Sequence, residues 1–484
     1  MCLGSPWSGS RALWRNHTRT VVLAAALAVA ISLSRLAHAQ PAPAASAAGT
    51  ADAVVVFTDH PRLFLRPARL RLLQRERERT TARWQQFDSF VAGDAPMPEA
   101  AFAQALYYQV SGDAPAGRKA IAWALSTTPG QAQDLRQLAL VFDWCQKLLS
   151  ETEQRQLAAR IEQRLADTAA DESVAAVRSR ALAAVALFDD APGLPNRELS
   201  RVVHDWWEKK IAPALAGGRA ALARDDAYPL WEMLHAIRDN TNLDLRESSP
   251  RVFKQFPIEH LMSHYPATYP GEDNDFHIGA WRVAAGASAE PDLRAATLSR
   301  AAELAMVALD ANAEESQYLQ GWLMHDHFQL RGALGAPYEF LWANPYQPGL
   351  SFTLLPLLYH NPDSGTVFIR SDWEESADWF GLFDGAAQLF RDGRVLVVSL
   401  AGTPPLVLRT AVVVFGDARF RVKLTEEQEA VIVAGLRPNS LYQVEIDDEE
   451  VFEEPADRGG VLVLDVPRGK EIGVRLRPAP KADR

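Results

Sequence analysis

NAEESQYLQGWLMHDHFQLRGALGAPYEFLWANPYQPG, Asn312 to Gly349, divides this chain of 484 residues. Ahead of it, apolar residues recur at helical spacing. After Pro356 they alternate at period two in Val-rich runs. The stretch carries His325 and His327, the tyrosines Tyr318, Tyr338 and Tyr346, and the tryptophans Trp322 and Trp342. A polar, aromatic segment at the junction of a helical and a strand-rich part is a natural ligand site. Its blander reading is a hydrogen-bonded plug between packed layers.

Upstream, helices are expected at 67–87, 98–110, 114–125, 132–149, 151–168, 171–188, 197–215 and 291–309, with a shorter one at 277–285 opened by Asp275. Pro129-Gly130, Pro192-Gly193 and Gly217-Gly218 punctuate them. Trp206 and Trp207 are too large a hydrophobic pair to lie wholly exposed. Short successive helices without a 34-residue consensus fit a closed toroid better than a repeat array. Val54–Phe57 reads as a short strand.

Downstream, Val-rich segments from Thr366 to Leu476 read as antiparallel strands. Asp392-Gly393 is a hairpin signal. Leu436, Pro438 and Tyr442 are spaced as in the tyrosine corner of immunoglobulin-like sandwiches. Glu449–Glu454 reads as a solvated acidic loop. The fold class is therefore α+β and multidomain: an N-terminal (α/α) toroid, 54–360, followed by an antiparallel β domain, 361–480, ending in a small immunoglobulin-like sandwich.

The first 39 residues read as a secretory signal. Arg11, Arg15 and Arg19 precede the apolar run Val21–Leu33, and Ala37-His38-Ala39 offers a small-x-small cleavage site. Residues 40–53 are an Ala/Pro-rich leader. The expected location is periplasmic or secreted, without membrane attachment after cleavage. Cleavage removes four arginines and moves the formal charge from −11 to −15. Such a balance argues against nucleic acid as a partner. Cys145 then stands alone and reads as a small buried hydrophobe.

Histidine chemistry must come from the helical part or the junction, because no histidine follows His360. His260 and His264 share a helix face at i, i+4. Without a third ligand nearby they do not make a metal site, and no metal or cofactor is expected. Imidazole titrates near working pH, and a phenol serves as acid or base. Tyr318, His325, His327 and His277 are the candidate catalytic groups. Arg238, Asn240, Asn242, Asn274, Trp322, Tyr338, Trp342 and Tyr346 are the candidate substrate contacts.

His60-Pro61-Arg62-Leu63-Phe64-Leu65 resembles the opening motif of secreted heparinase II/III-like and alginate-lyase-like proteins. Val367–Glu374 with Ala377-Asp378 resembles the junction where those proteins begin their β domain. The likeness spans Val54 to Arg394. It implies a helical toroid and β-elimination of acidic, uronate-containing polysaccharides or oligosaccharides. Asn, His or Arg would neutralise the substrate carboxylate, and Tyr or His would move the protons. On this chain the resemblance points to Arg238 with Asn240 or Asn242, or Asn274 with His277, as neutralisers. Tyr318 would be the catalytic tyrosine, with Tyr338 and Tyr346 as competitors, and His325 or His327 the partner base. The histidine-rich motif of the family's first β strands is missing from GLFDGAAQLFRDGRVLVV (381–398).

Two other readings remain open on sequence. One is a glycoside hydrolase on a toroid, using Asp273 or Asp275 with Glu314 or Glu315. The other is a non-catalytic glycan-binding or envelope structural protein.

Overall fold

The computed structural model describes residues 54–126, 134–191, 193–217, 223–270, 275–281, 290–328, 330–416 and 418–479. The expected signal, the leader, Asp273 and Asn274 lie outside the described residues.

The helices are α1 (Pro67–Glu78), α2 (Ala82–Ala92), α3 (Ala100–Ser111), α4 (Ala114–Leu125), α5 (Leu135–Trp144), α6 (Glu151–Asp167), α7 (Val174–Ala186), α8 (Leu194–Ser200), α9 (Ala212–Ala216), α10 (Ala227–Thr241), α11 (Pro250–Met262), α12 (Leu293–Leu309), α13 (Glu314–His325) and α14 (Gly332–Trp342). Local chemistry starts many of them. Pro67 opens α1 where its missing N–H costs nothing. Ser150 and Glu153 form a reciprocal capping box on α6. The stretch Arg201–Ile211 winds more widely and joins α8 to α9, with Trp206 and Trp207 buried as expected.

Burial separates an inner from an outer layer. Every residue of α5 is buried, whereas α6 buries only Leu157, Ile161 and Leu165. All-round burial marks a helix enclosed by others, and a single stripe marks one facing water. The inner helices α3, α5, α7, α10, α12 and α14 each pack on the next, and α14 returns to α3, closing the ring. His235 on α10 meets the Ala305 carbonyl at 2.9 Å, and Arg238 donates to the Leu309 carbonyl at 2.6 Å, so α10 and α12 run in the same direction.

Charge fills the middle of this ring. Arg136 on α5 donates to both oxygens of Glu232 on α10, at 2.6 to 3.0 Å. Arg178 on α7 pairs with the same carboxylate. Tyr228 donates to Glu232 at 2.6 Å, and Trp342 donates to the Tyr228 hydroxyl at 3.1 Å. Tyr338 on α14 donates to Glu99, which also pairs with Arg136 at 3.2 Å. The network is neutral overall, which is the condition under which buried charge is tolerated.

The chain ahead of α1 covers the opposite ends of the inner helices. Asp143 accepts the N–H groups of Arg62 and Leu63 at 2.8 to 3.0 Å, and Trp144 donates to the Leu63 carbonyl at 2.9 Å. The His60–Leu65 motif therefore fastens the chain across the ring. Val54–Phe57 forms no strand. The Phe57 N–H instead donates to the Asn240 carbonyl at 3.1 Å.

A two-stranded pair, β1 (Tyr269–Pro270) and β2 (Asp275–Phe276), interrupts the helices. Residues 277–281 are not helical, which corrects the helix expected at 277–285. The Tyr265 N–H donates to the Ile278 carbonyl at 3.0 Å, the Ala280 N–H donates to the Ser263 carbonyl at 2.8 Å, and Arg300 donates to the His277 carbonyl at 2.9 Å, so these backbone groups find their partners in extended form.

The strand-rich part begins with a meander of β3 (Leu358–Asn361), β4 (Thr366–Arg370), β5 (Trp379–Phe383), β6 (Ala386–Arg391) and β7 (Arg394–Val398). Asp392 and Gly393 both take positive φ in the β6–β7 turn, as a tight hairpin requires. Next come β8 (Leu406–Val407), β9 (Ala411–Phe415), β10 (Arg419–Lys423), β11 (Ala430–Ala434), β12 (Leu441–Ile446), β13 (Glu450–Pro455), β14 (Leu462–Leu464) and β15 (Glu471–Pro478). They form two four-stranded sheets, β14-β11-β9-β8 and β10-β15-β12-β13. The pairing is mixed, because β9 and β11 are parallel.

Three sheets are stacked on the helical body. Phe368, Trp379 and Phe390 turn one face of the five-stranded sheet into the helical core. Its other face, with Ile369, Phe380 and Leu382, packs on Val413 and Ile432 of the middle sheet. Val412, Val414 and Val433 then pack on Val444 and Val474 of the last sheet. Every residue of β9 and β11 is buried, so their unbroken apolar runs mark strands covered on both faces. The Tyr442 hydroxyl accepts the Arg437 N–H at 3.0 Å, the contact expected of a tyrosine corner. Glu450–Pro455 is a strand and not the expected loop. It pairs with β12 along a charged, exposed sheet edge, a placement that discourages pairing with other chains.

Cys145 is buried, and burial pushes its thiol up to about 12, away from nucleophilic use. Glu339 on α14 is also buried, with its carboxylate accepting the Leu330 N–H at 2.8 Å. Burial, the largest cause, raises its pKa to about 7 from an ordinary 4.5. As pH climbs from 4.5 the unfolded chain releases this proton first, so folded stability falls until the folded group also ionises near 7, and the penalty is constant above that. The penalty is roughly 3 kcal/mol. Glu339→Gln is expected to remove it, narrowing the difference between urea midpoints at pH 5 and pH 8.

Candidate functional site

A cleft of about 810 Å³ lies where the starts of α10 and α12 and the end of α11 face the five-stranded sheet. Its polar lining includes Arg224, Asp225, Glu259, His260, Asp292 and Asp384, and its aromatic lining includes Phe256, Trp281 and Phe383. Half-buried aromatic rings beside convergent carboxylates suit a sugar, which presents apolar C–H faces and hydroxyl edges.

Arg224 sits in a turn just ahead of α10. It donates to Ser263 at 2.6 Å and Ser299 at 2.8 Å, and pairs with Glu303 at 3.1 Å, while 22 % of its side chain stays exposed. A Cβ on Gly279 would stand 2.1 to 2.6 Å from the guanidinium, so only glycine admits this placement. Gly279→Ala is expected to swing the Arg224 guanidinium away from Ser263, Ser299 and Glu303 and to cost about 1–3 kcal/mol for the partners lost. Urea unfolding measures this, and an unchanged midpoint would show that the Arg224 partners do not stabilise the fold.

Glu259 and His260 are neighbours near the end of α11. Burial raises the Glu259 carboxyl above its ordinary value. Hydrogen bonds from Asn361 and Tyr359 and the Arg224 charge pull it back, and Asp384 pushes it up again. Its Oε2 accepts from the Tyr359 hydroxyl and the Asn361 amide, each at 3.2 Å. Burial, followed by the Arg224 charge, lowers His260 to about 4, so its imidazole is neutral at neutral pH.

Behind the cleft runs a chain of buried charge. Glu303 on α12 faces His264 at 3.1 Å, His260 at 3.6 Å and Arg300 at 3.2 Å. Burial works against its charge, but the two imidazoles and Arg300 hold its carboxyl well below the ordinary range. Arg300 continues to Asp326 at 2.5 Å, and Asp326 takes the His277 imidazole at 2.9 Å. Burial opposes the Asp326 charge, yet Arg300 and His277 hold it down at about 2.

The residues singled out in the sequence fall in several places. Trp322 is buried, with ring centroids 4.8 Å from His277, 5.4 Å from His264 and 6.1 Å from His325. His325 is exposed at the end of α13, and His327 is exposed just beyond it with φ 53. Tyr318 is half-buried on α13. Among the described residues, no hydrogen bond or ion pair joins Tyr318, His325 and His327. Tyr338 and Trp342 belong to the ring's central network. Arg238 secures α12, and Asn240 is buried under the leading segment, donating to the Ala236 carbonyl at 2.7 Å. Asn242 ends α10 with φ 60, a conformation asparagine tolerates. Tyr346 is exposed, with the Arg79 guanidinium 5.4 Å from its ring centre. Asn274 lies outside the described residues.

Asp275 is an exposed residue of β2, and Glu315 pairs with Lys254 at 3.4 Å. Neither these residues nor Glu314 line the cleft. Arg224, Glu259 and Asp384 were not singled out from the sequence. The only signal near them was the His260/His264 spacing, one position after Glu259. Those two imidazoles do share a face, and both turn to Glu303. Among the described residues, no group of three or more His, Cys, Asp or Glu is arranged to hold a metal ion.

No protein-family model matches the chain, and no curated protein matches it. Among solved structures it is similar to one titled "Glycoside hydrolase", at 9 % identity and a TM-score of 0.32, over 88 % of this chain and 77 % of that one.

Proposed function

We propose that the protein is a carbohydrate-active enzyme that hydrolyses a glycosidic bond in the cleft between the helical ring and the five-stranded sheet. The observation that carries this reading is Glu259: a cleft-lining carboxyl made a weaker acid by burial, with Asp384 near enough to raise it further. Two carboxyl groups with different environments are the requirement for this chemistry. Glu259, whose ionisation burial opposes, gives a proton to the leaving glycosidic oxygen. Asp384 takes a proton from the attacking water, whose oxygen bonds to the anomeric carbon as the bond to the leaving oxygen breaks. Arg224 and the aromatic wall orient the sugar. The cleft sets exposed Asp225, Asp292 and Asp384 against Arg224, which Glu303 already neutralises in part. Such a balance repels a run of negative charges and favours a glycan of low charge.

Elimination on a uronate glycan is the second reading. It is favoured by the neutral His260 imidazole beside the Arg224 guanidinium, which together form a base and a carboxylate neutraliser on one wall. A panel of neutral and uronate-containing polysaccharides separates the readings. Hydrolysis yields reducing ends without new ultraviolet absorbance, and elimination yields an absorbing unsaturated uronate. Binding without either product would leave a glycan-binding protein and reject both.

A further inference from the structure

We infer that Tyr359 and Asn361, from the strand-rich part, are positioning residues that hold Oε2 of Glu259 and leave Oε1 as the oxygen carrying the transferable proton. This rests on the hydrolase reading and goes further, because it makes the acid of one part of the chain depend on the other. Glu259 stands on α11, while both of its donors stand on β3.

The geometry fixes the roles of the donors. Asn361 uses its Oδ1 to accept the Asp363 N–H at 3.1 Å, so the amide nitrogen is the atom that faces Glu259. The Asn361 carbonyl also accepts the Gly365 N–H at 2.7 Å, which anchors the residue in its turn. The Tyr359 ring stacks on Phe368 at 6.2 Å, and its hydroxyl has a single proton to give. Burial, with the Glu259 charge, raises that phenol far above its ordinary value, so it remains a donor. An oxygen accepting two hydrogen bonds has no lone pair left for a proton of its own, whereas the second carboxyl oxygen does. Tyr359 and Asn361 thereby place the proton on Oε1. They also temper the acidity, because donors to a carboxylate favour its charged form. The other charged or titratable groups around Glu259 are Arg224 ahead of α10, His260 on its own helix, Asp384 in the β5–β6 turn, and Asp225 and Asp292 across the cleft.

The test is carboxyl titration by infrared difference spectroscopy on the full chain without ligand, with Glu259→Gln identifying the band. Tyr359→Phe keeps the ring and removes only the donor. The Glu259 pKa is expected to rise by about one unit, the scale of one lost hydrogen bond to a charged group. In reducing-end assays on whichever panel polysaccharide the native chain cleaves, the alkaline limb should move up by the same amount. The kcat should fall about ten-fold with KM nearly constant, because neither donor lines the cleft. Asn361→Ser provides the same readout should Tyr359→Phe fail to fold. An unshifted band in the folded variant, with turnover abolished in Glu259→Gln, overturns this inference alone. Full turnover in Glu259→Gln overturns the hydrolase reading and this inference with it.

Discussion

Glu259→Gln is expected to lower kcat on a cleaved polysaccharide by about 10²- to 10⁴-fold, the usual contribution of a placed general acid. Binding should survive, because the amide has nearly the shape of the acid. The fold should survive as well. The Gln carbonyl oxygen can accept the donors from Tyr359 and Asn361 that now reach Oε2. The variant also lacks a carboxyl whose ionisation burial opposes. A raised folded pKa means that Glu259 costs stability as pH rises above its unfolded value, so the amide should be slightly more resistant to urea at pH 8 and no different at pH 4. Loss of turnover together with equal or greater stability is a combination that a purely structural carboxyl would not produce. Activity within three-fold of the native chain would remove Glu259 from the reaction.

Much of the architecture is legible in the sequence because period reports burial directly. Ala411–Phe415 is apolar at every position and lies between two sheets. Arg419–Lys423 alternates and has one face in water. Asp392-Gly393 and Tyr442 specify their turns through local chemistry. The site is much less legible. Trp322, Tyr338 and Trp342 read as a ligand patch, yet they are buried, the last two in the middle of the ring. An inner helix of a toroid needs polar and aromatic residues on the face that meets the axis, and helical spacing cannot tell that face from a binding cleft. Glu259 shows the converse. Nothing in its own helix distinguishes it from a solvated glutamate. Its character comes from Tyr359 and Asn361 about a hundred residues later, and from Asp384 in a hairpin turn. Asp384 belongs to the same case, since Asp384-Gly385 forms a tight turn with positive φ at both residues.

Glu232→Ala is expected to cost about 3–5 kcal/mol of folding stability. Glu232 has no exposed surface, and its two oxygens receive Arg136, Arg178 and Tyr228. Truncation leaves both guanidinium groups facing one another without their shared counter-charge, and Glu99 reaches only Arg136. Burial alone would raise the Glu232 carboxyl, but Arg136 and Arg178 outweigh it and hold the group below its ordinary value. A depressed folded pKa gives stability that is complete above the unfolded value near 4.5 and is lost as pH falls through the folded value. The native chain should therefore lose this contribution in acid, while the variant lacks it at every pH, so their urea midpoints should converge as pH falls below 4. Glu232→Gln keeps hydrogen-bond acceptance without charge and should fall between the two. That ordering separates charge compensation from cavity formation, because the amide leaves no cavity. A Glu232→Gln variant as stable as the native chain at pH 7 would show that the carboxylate's charge does not hold the ring together.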